Sequence, residues 1–265
     1  MREAAIGIFD SGVGGLTVCR RVIELLPRES IVYLGDTARV PYGTKSADTV
    51  IRYARSCAGV LQARGIKLLV VACNTASAYA IDALKTELPL PVVGVVEPGA
   101  DAAVRMSRTG AIGVIGTPGT IASGAYERAI LARRPDACIH KKACPLFVPL
   151  AEEGWTEGTI PRETARTYLR ELAESNVDTL VLGCTHYPLL AGAIASVMGD
   201  GVTLVDSARE TALTVAAMLE ACGLLRRDDR ARTYDFLVSD APDNFTRVGR
   251  RFLGQDIRRV EWVDF

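Results

Sequence analysis

IGIFDSG, residues 6–12, is a short apolar run that ends in an aspartate, a serine and a glycine. Further runs rich in Val, Ile and Leu are almost continuously apolar, as expected of parallel strands that are buried on both faces. Amphipathic helical patterns separate these runs, for example over residues 46–64. This alternation predicts a doubly wound α/β fold with parallel sheets. The predicted strands are Ile6–Phe9, Ile31–Gly35, Leu68–Cys73, Val92–Val96, Ile112–Gly116, Thr179–Cys184 and Val202–Asp206.

The opening stretch has a counterpart later in the chain. IGVIGTP at residues 112–118 resembles residues 6–12, and VLGCTH at residues 181–186 resembles VVACNT at residues 70–75. The two matches occur in the same order and at nearly the same spacing, which indicates two related α/β units with similar strand ends facing a shared cleft. We expect the chain after Asp206 to pack back onto one of these units, with strands at Tyr234–Ser239 and Arg259–Val263 around the helical Pro242–Leu253.

Composition narrows the classes of function. The 265 residues include 31 basic and 31 acidic side chains, so the net charge gives no electrostatic reason to expect nucleic acid or an anionic membrane as a partner. No stretch approaches the roughly 18 apolar residues of a membrane helix, and no signal-peptide pattern precedes the first strand. Seven cysteines without CxxC pairs indicate free thiols in a reducing compartment, so we expect a cytoplasmic protein.

Two of the cysteines differ from the others in position. Cys73 and Cys184 each stand where an apolar strand meets polar residues, whereas Cys19, Cys57 and Cys222 lie on apolar helical stripes and are expected in the core. Ligands of open α/β sheets bind beyond the carboxyl ends of the strands. A thiol with an ordinary pKa of about 8.5 can act as base or acid near neutral pH. Two such thiols on opposite sides of one carbon could remove its proton from one face and return a proton to the other.

Polar neighbours are placed to tune each thiol. Asp10 follows the first strand and could assist one side, and His186 follows Cys184 by two residues and could assist the other. The glycine-rich loop at residues 10–16 lacks the third glycine of a dinucleotide-binding fingerprint, and residues 43–46 lack the spacing of a P-loop. The loop therefore indicates a tight turn whose backbone N–H groups could hold a carboxylate.

Six motifs span most of the chain: FDSGVGGL (9–16), GDTARVPYG (35–43), ACNTAS (72–77), GVVEPG (94–99), IGTPGT (115–120) and GCTHYPL (183–189). Together, and in this order, they resemble the signature blocks of the bacterial glutamate racemase family. The resemblance implies two flavodoxin-like domains related by pseudo-symmetry, residues 1–97 with 207–265 and residues 98–206, with the active site between them. It also implies interconversion of L- and D-glutamate without a metal or other cofactor, supplying D-glutamate for peptidoglycan.

The resemblance also carries roles onto matching residues. Cys73 would deprotonate D-glutamate with help from Asp10, and Cys184 would deprotonate L-glutamate with help from His186. Glu152 is a weaker candidate on the second domain. The implied substrate contacts are Asp10, Ser11, Tyr42, Gly43, Asn74, Thr75, Thr117, Thr120, Thr185 and His186. The expected partner is glutamate as a small molecule. No nucleic acid or membrane partner is expected, and assembly as a homodimer stays open.

Three other interpretations stay open. A racemase of aspartate or another acidic amino acid, or a related decarboxylase, could use the same fold, although paired thiols disfavour a decarboxylase that protonates only one face. A thiol-based metal or redox sensor could use Cys73, Cys184 and His186, but zinc sites typically need more ligands than these. A nucleotide-binding module is a third class, and the missing phosphate fingerprints count against it.

Overall fold

The computed structural model describes residues 2–228 and 231–265. The strands within these residues are β1 Ile6–Asp10, β2 Ile31–Gly35, β3 Leu68–Val71, β4 Val92–Gly94, β5 Ala111–Gly116, β6 Cys138–Ala143, β7 Thr179–Gly183, β8 Thr203–Asp206, β9 Tyr234–Val238 and β10 Val260–Trp262. The helices are α1 Leu16–Leu25, α2 Ala47–Ala63, α3 Asn74–Glu87, α4 Val96–Met106, α5 Pro118–Ser123, α6 Ala125–Arg133, α7 Phe147–Glu153, α8 Thr159–Glu174, α9 Ala191–Met198, α10 Ser207–Ala221 and α11 Pro242–Leu253. Short 3₁₀ helices occur at Thr37–Arg39, Tyr42–Thr44 and Tyr187–Leu190.

The strands form two parallel sheets. The first has the order β10-β9-β2-β1-β3-β4 and the second the order β6-β5-β7-β8, and the paired strands in both are parallel. The predicted α/β class is therefore confirmed. All residues of β1, β2, β3 and β7 are buried, which explains why these strands are continuously apolar.

The two sheets repeat one topology. In the first, β1 lies between β2 and β3, and in the second, β5 lies between β6 and β7. In each sheet the chain forms the inner strand first, then the strand on one side of it, and then the strand on the other side. This reversal opens a crevice at the carboxyl ends of the strands, between β1 and β3 in the first sheet and between β5 and β7 in the second. The repeated motifs of the sequence end these same strands, so they occupy equivalent positions in the two sheets.

Three local features differ from the sequence-based expectations. β6 was not predicted, because this edge strand carries Lys141 and Lys142 in place of a continuous apolar run. β3 and β7 end before Cys73 and Cys184, so both cysteines lie in the turns that follow the strands. The expectation that Cys222 is a core residue is wrong: it is exposed, because α10 ends at Ala221 and the chain leaves the core there.

The last part of the chain returns to the first sheet. α10 is followed by β9 and β10, which extend that sheet beyond β2. Sheet membership changes between β4 and β5 and again between β8 and β9, and the domain boundaries at residues 97 and 207 stay a prediction. Among the described residues, no helix combines the length and the apolar character that a membrane span requires.

Candidate active site

The sequence-predicted residues converge at the carboxyl ends of the inner strands. Asp10 ends β1, Cys73 follows β3, and Cys184 follows β7. Cys73 and Cys184 are each only 6% exposed, and all seven cysteines are free thiols. The negative charge that Cys184 would carry contributes to the raised pKa of Cys73, so the two sulfurs are close enough to influence each other.

Cys73 is the N-cap residue of α3. Its sulfur accepts a hydrogen bond from the Ala76 N–H at 3.5 Å. Burial raises the pKa of Cys73 to about 12, and the nearby Asp10 carboxylate adds to the rise. The Ala76 N–H and the Ser11 hydroxyl offset part of this effect. The resting state of Cys73 is therefore the protonated thiol.

Cys184 has a basic partner. His186 Nδ1 lies 3.8 Å from the Cys184 sulfur, and His186 Nε2 lies 2.9 Å from Glu152 Oε1. Burial alone lowers the pKa of His186, but its hydrogen bonds to Cys184 and Glu152 and their negative charges raise it to about 10. The imidazole is thus held as a cation beside the sulfur. The ring of Phe252, on α11, packs edge-on against it at 5.1 Å between centroids.

Asp10 is fully buried between the two thiol sites. Its Oδ2 accepts a hydrogen bond from the Gly12 N–H at 2.9 Å, and its Oδ1 has no hydrogen-bond partner among the described residues. Burial raises the pKa of Asp10, whereas the positive charge of His186 lowers it. An unpaired acceptor in this position is suited to an ammonium group.

Three threonine hydroxyls join the two sheets at this edge. Thr75 Oγ1 lies 2.9 Å from Thr117 Oγ1 and 3.1 Å from Thr120 Oγ1, and the latter two are 3.0 Å apart. Thr117 is also the N-cap residue of α5. α3 and α5 both begin here, and their N-cap side chains, Cys73 and Thr117, accept hydrogen bonds from the N–H groups of Ala76 and Thr120.

Tyr42 and Gly43 lie in the loop after β2. The Tyr42 side chain is 1% exposed, and its hydroxyl donates a hydrogen bond to Asp36, away from the thiols. Gly43 packs against Thr117 so closely that a Cβ atom on the glycine would lie 2.6 Å from Thr117 Cβ. This segment can therefore present its backbone to a ligand but not the Tyr42 hydroxyl.

A second glycine brings the first sheet against His186. A Cβ atom on Gly14 would lie 2.3 Å from Thr185 Oγ1 and 2.4 Å from the His186 ring. The Thr17 hydroxyl lies within hydrogen-bond distance of the backbone oxygens of both Gly14 and Thr185, at 2.9 and 3.2 Å. Together with the contact of Gly43 with Thr117, these contacts pack the carboxyl-terminal edges of the two sheets against each other around the two thiols.

Sequence reasoning missed two aromatic residues of this region. Tyr126 on α6 donates a hydrogen bond to Asn74, and Phe252 covers His186. Neither is part of a polar strand end or a recognisable motif, so no local signal identifies them. Among residues 2–228 and 231–265, no group of three or more His, Cys, Asp or Glu side chains could hold a metal ion.

Comparison with known proteins gives consistent matches. The model of the Asp/Glu/hydantoin racemase family matches residues 6–215. A glutamate racemase of Geobacter metallireducens is 58% identical over 98% of this chain and 96% of its own length. The crystal structure of glutamate racemase isoform RacE1 from Bacillus anthracis has a TM-score of 0.95 at 39% identity, covering 100% of this chain and 99% of that one. The Francisella tularensis glutamate racemase in complex with D-glutamate has a TM-score of 0.94 at 36% identity, covering 100% and 98%.

Proposed function

We propose, from the premise that the chain belongs to the Asp/Glu/hydantoin racemase family, that it interconverts L- and D-glutamate. The observation that carries the proposal is the pair of cysteines after the equivalent strands β3 and β7, with sulfurs that influence each other. A racemase needs one group on each face of the α-carbon, and the two halves of this molecule each supply one. Solved relatives include one whose complex contains D-glutamate.

The surroundings of the two thiols support a starting point for the conversion of L- to D-glutamate. Cys73 rests as a thiol because burial and Asp10 raise its pKa, and the His186 cation lies beside the Cys184 sulfur, where it would stabilise a negative charge. The Cys184 thiolate would remove the α-proton of L-glutamate, and the Cys73 thiol would give a proton to the opposite face. The enzyme then holds the proton on Cys184 and the negative charge on Cys73. D-glutamate would react in reverse from that state.

The surrounding groups fit a substrate with two carboxylates and one ammonium. We assign the ammonium to the unpaired Oδ1 of Asp10. The carboxylates would be held by neutral donors: the side chains of Ser11, Asn74, Thr75 and Thr185, the backbone at Tyr42 and Gly43, and the hydroxyls of Thr117 and Thr120. Donors around the α-carboxylate would also stabilise the charge that develops as the proton leaves.

Helper roles follow from the contacts of the thiols. Asp10 would tune Cys73, and His186 would tune Cys184 and be kept cationic by Glu152. Because both proton transfers are assigned to side chains, the proposed reaction uses no cofactor. A cytoplasmic location, a homodimer and a role in supplying D-glutamate for peptidoglycan stay predictions.

Measurement of α-deuterium during turnover in D₂O tests the function. We expect each glutamate enantiomer to yield the opposite enantiomer with solvent deuterium at the α-carbon, without added pyridoxal phosphate and in the presence of a chelator. Racemisation of aspartate with none of glutamate would overturn the assigned substrate. Stoichiometric metal in the purified protein, with no turnover of either amino acid, would favour the metal or redox sensor.

A further inference from the structure

Asn74 is held by a tyrosine from the other half of the molecule. The Tyr126 hydroxyl donates a hydrogen bond of 2.7 Å to Asn74 Oδ1. Asn74 begins α3, which follows a strand of the first sheet, and Tyr126 lies on α6, which follows a strand of the second. The two side chains are 3% and 2% exposed, so water does not compete for the bond.

This bond fixes the orientation of the Asn74 amide. Oδ1 is occupied by Tyr126, and Nδ2 has no hydrogen-bond partner among the described residues. A buried amide donor without a partner is costly unless a ligand satisfies it. Burial raises the pKa of Tyr126 well above its usual value, so its hydroxyl keeps the proton that it donates.

The backbone leaves room for the tyrosine ring. A Cβ atom on Gly99 would lie 3.1 Å from Tyr126 Oη, and one on Gly183 would lie 3.1 Å from Tyr126 Cε2. Gly183 directly precedes Cys184, so the ring passes beside the turn that carries the second thiol. The placement of Tyr126 therefore depends on the same strand end that positions Cys184.

We propose that Tyr126 is a positioning residue that holds the Asn74 amide with its NH₂ group directed at a substrate carboxylate. This inference rests on the proposed glutamate racemisation and names a determinant of substrate binding within that site. Because the bond joins residues of the two halves, it links the packing of the halves to the orientation of the amide that binds the carboxylate.

The variant Tyr126→Phe tests the proposal, because it keeps the ring and removes only the hydroxyl. The freed amide can rotate, so we expect the KM for glutamate to rise about tenfold. We expect kcat to stay within about threefold of the wild type, because the lost contact is made in the ground state as well as in the transition state. The ratio of kcat/KM for L-glutamate to that for D-glutamate equals the equilibrium constant, which is one because the enantiomers have equal free energy. The variant must therefore lose the same factor in kcat/KM in both directions.

The matched control is Tyr168→Phe, which removes a tyrosine hydroxyl that accepts a hydrogen bond from the Leu146 N–H at 3.2 Å, outside the cleft. Its KM should equal that of the wild type. The decisive measurement is a double-mutant cycle with Asn74→Ala. In that background the amide is absent, so Tyr126→Phe should change KM no further.

Three results would overturn the inference: a wild-type KM for Tyr126→Phe, the same loss with and without Asn74, or a loss confined to kcat. Melting temperatures of all variants show whether a general loss of stability explains the kinetics. If the wild-type enzyme turns over glutamate and only the cycle fails, Tyr126 alone has been misassigned. If the wild type does not racemise glutamate, the proposed function fails and the role of Tyr126 falls with it.

Discussion

Cys73 and Cys184 follow equivalent strands, yet their immediate neighbours carry opposite charge. Asp10 lies beside Cys73 and raises its pKa, whereas the His186 cation lies 3.8 Å from Cys184. Two identical side chains after equivalent strands therefore have different electrostatic surroundings. At the scale of the residue, the proposed mechanism uses this asymmetry to distinguish the thiol that accepts a proton from the thiol that donates one.

Removing one thiol at a time should separate the two halves of the reaction. A glutamate analogue with chloride on its β-carbon needs only one base, because loss of the α-proton expels chloride and the resulting enamine hydrolyses to 2-oxoglutarate and ammonium. We expect Cys73→Ala to eliminate chloride only from the L-analogue, and Cys184→Ala only from the D-analogue. Neither variant should racemise glutamate. The buried Cys57→Ala variant is the control, and elimination from both enantiomers by a single-thiol variant would contradict the two-base assignment.

The charge state of His186 can be read directly, because the chain has only two histidines. The wild-type imidazole should titrate at a pH of about 10 in an NMR experiment, and Glu152→Gln should lower that pKa by about one unit or more. A folded-state pKa raised from 6.5 to about 10 contributes stability that is fully present below pH 6.5 and is lost as the pH rises through about 10. Titration of His186 near 6.5 in the wild type would show that its hydrogen bonds do not hold the proton.

At the scale of the element, the strand-to-helix turns both end the strands and begin the site. Cys73 caps α3 and Thr117 caps α5, so two residues of the candidate site are also the residues that start the helices. Side chains that accept hydrogen bonds from the first turn are favoured there.

Two glycines of one segment should respond in opposite ways to alanine. Gly59 lies on the exposed face of α2 and Gly65 follows that helix with φ +72°, and an added Cβ would have no neighbour within 4 Å at either position. Gly59→Ala should stabilise the protein by about 0.5–1 kcal/mol through helix propensity. Gly65→Ala should destabilise it by about 1 kcal/mol, because alanine is strained in the left-handed region. Chemical denaturation measures both, and equal effects would refute the backbone argument.

At the scale of the whole molecule, the site exists only where the two sheets close on each other. Gly14 presses against Thr185 and His186, and Gly43 presses against Thr117. The threonine hydroxyls and the bond of Tyr126 to Asn74 cross the same boundary. Each half carries one thiol, so the distance between the halves would set the geometry of the proposed proton transfers.

Gly14→Ala should hold the halves apart, since its Cβ would lie 2.3–2.4 Å from Thr185 and His186. A displacement of this kind should lower kcat/KM by about a hundredfold or more. Circular dichroism should still report the native helix content, because Gly14 lies in the turn between β1 and α1 and no helix is altered. Gly59→Ala is the control with unchanged kinetics, and a fully active Gly14→Ala variant would show that the close approach is not required.

Much of this fold could be predicted from the sequence, because buried parallel strands leave continuous apolar runs. Nine of the ten strands among the described residues agree with the prediction, including β9 and β10 in the returning tail, and repeated strand endings indicate the two related units. β6 escaped prediction because Lys141 and Lys142 interrupt its apolar pattern at a sheet edge. Cys222 was misplaced because a helical stripe alone does not show where the helix leaves the core.

The sequence by itself determined which residues stand at the strand ends, and so singled out Cys73, Cys184, Asp10 and His186, because strand periodicity and its termination are local properties. Only the tertiary structure decided what those residues meet. The contacts of His186 with Glu152 and of Asn74 with Tyr126 join positions 34 and 52 residues apart. The first contact depends on how α7 packs beside the end of β7, and the second on how the two sheets pack against each other. No local pattern of residues records that packing.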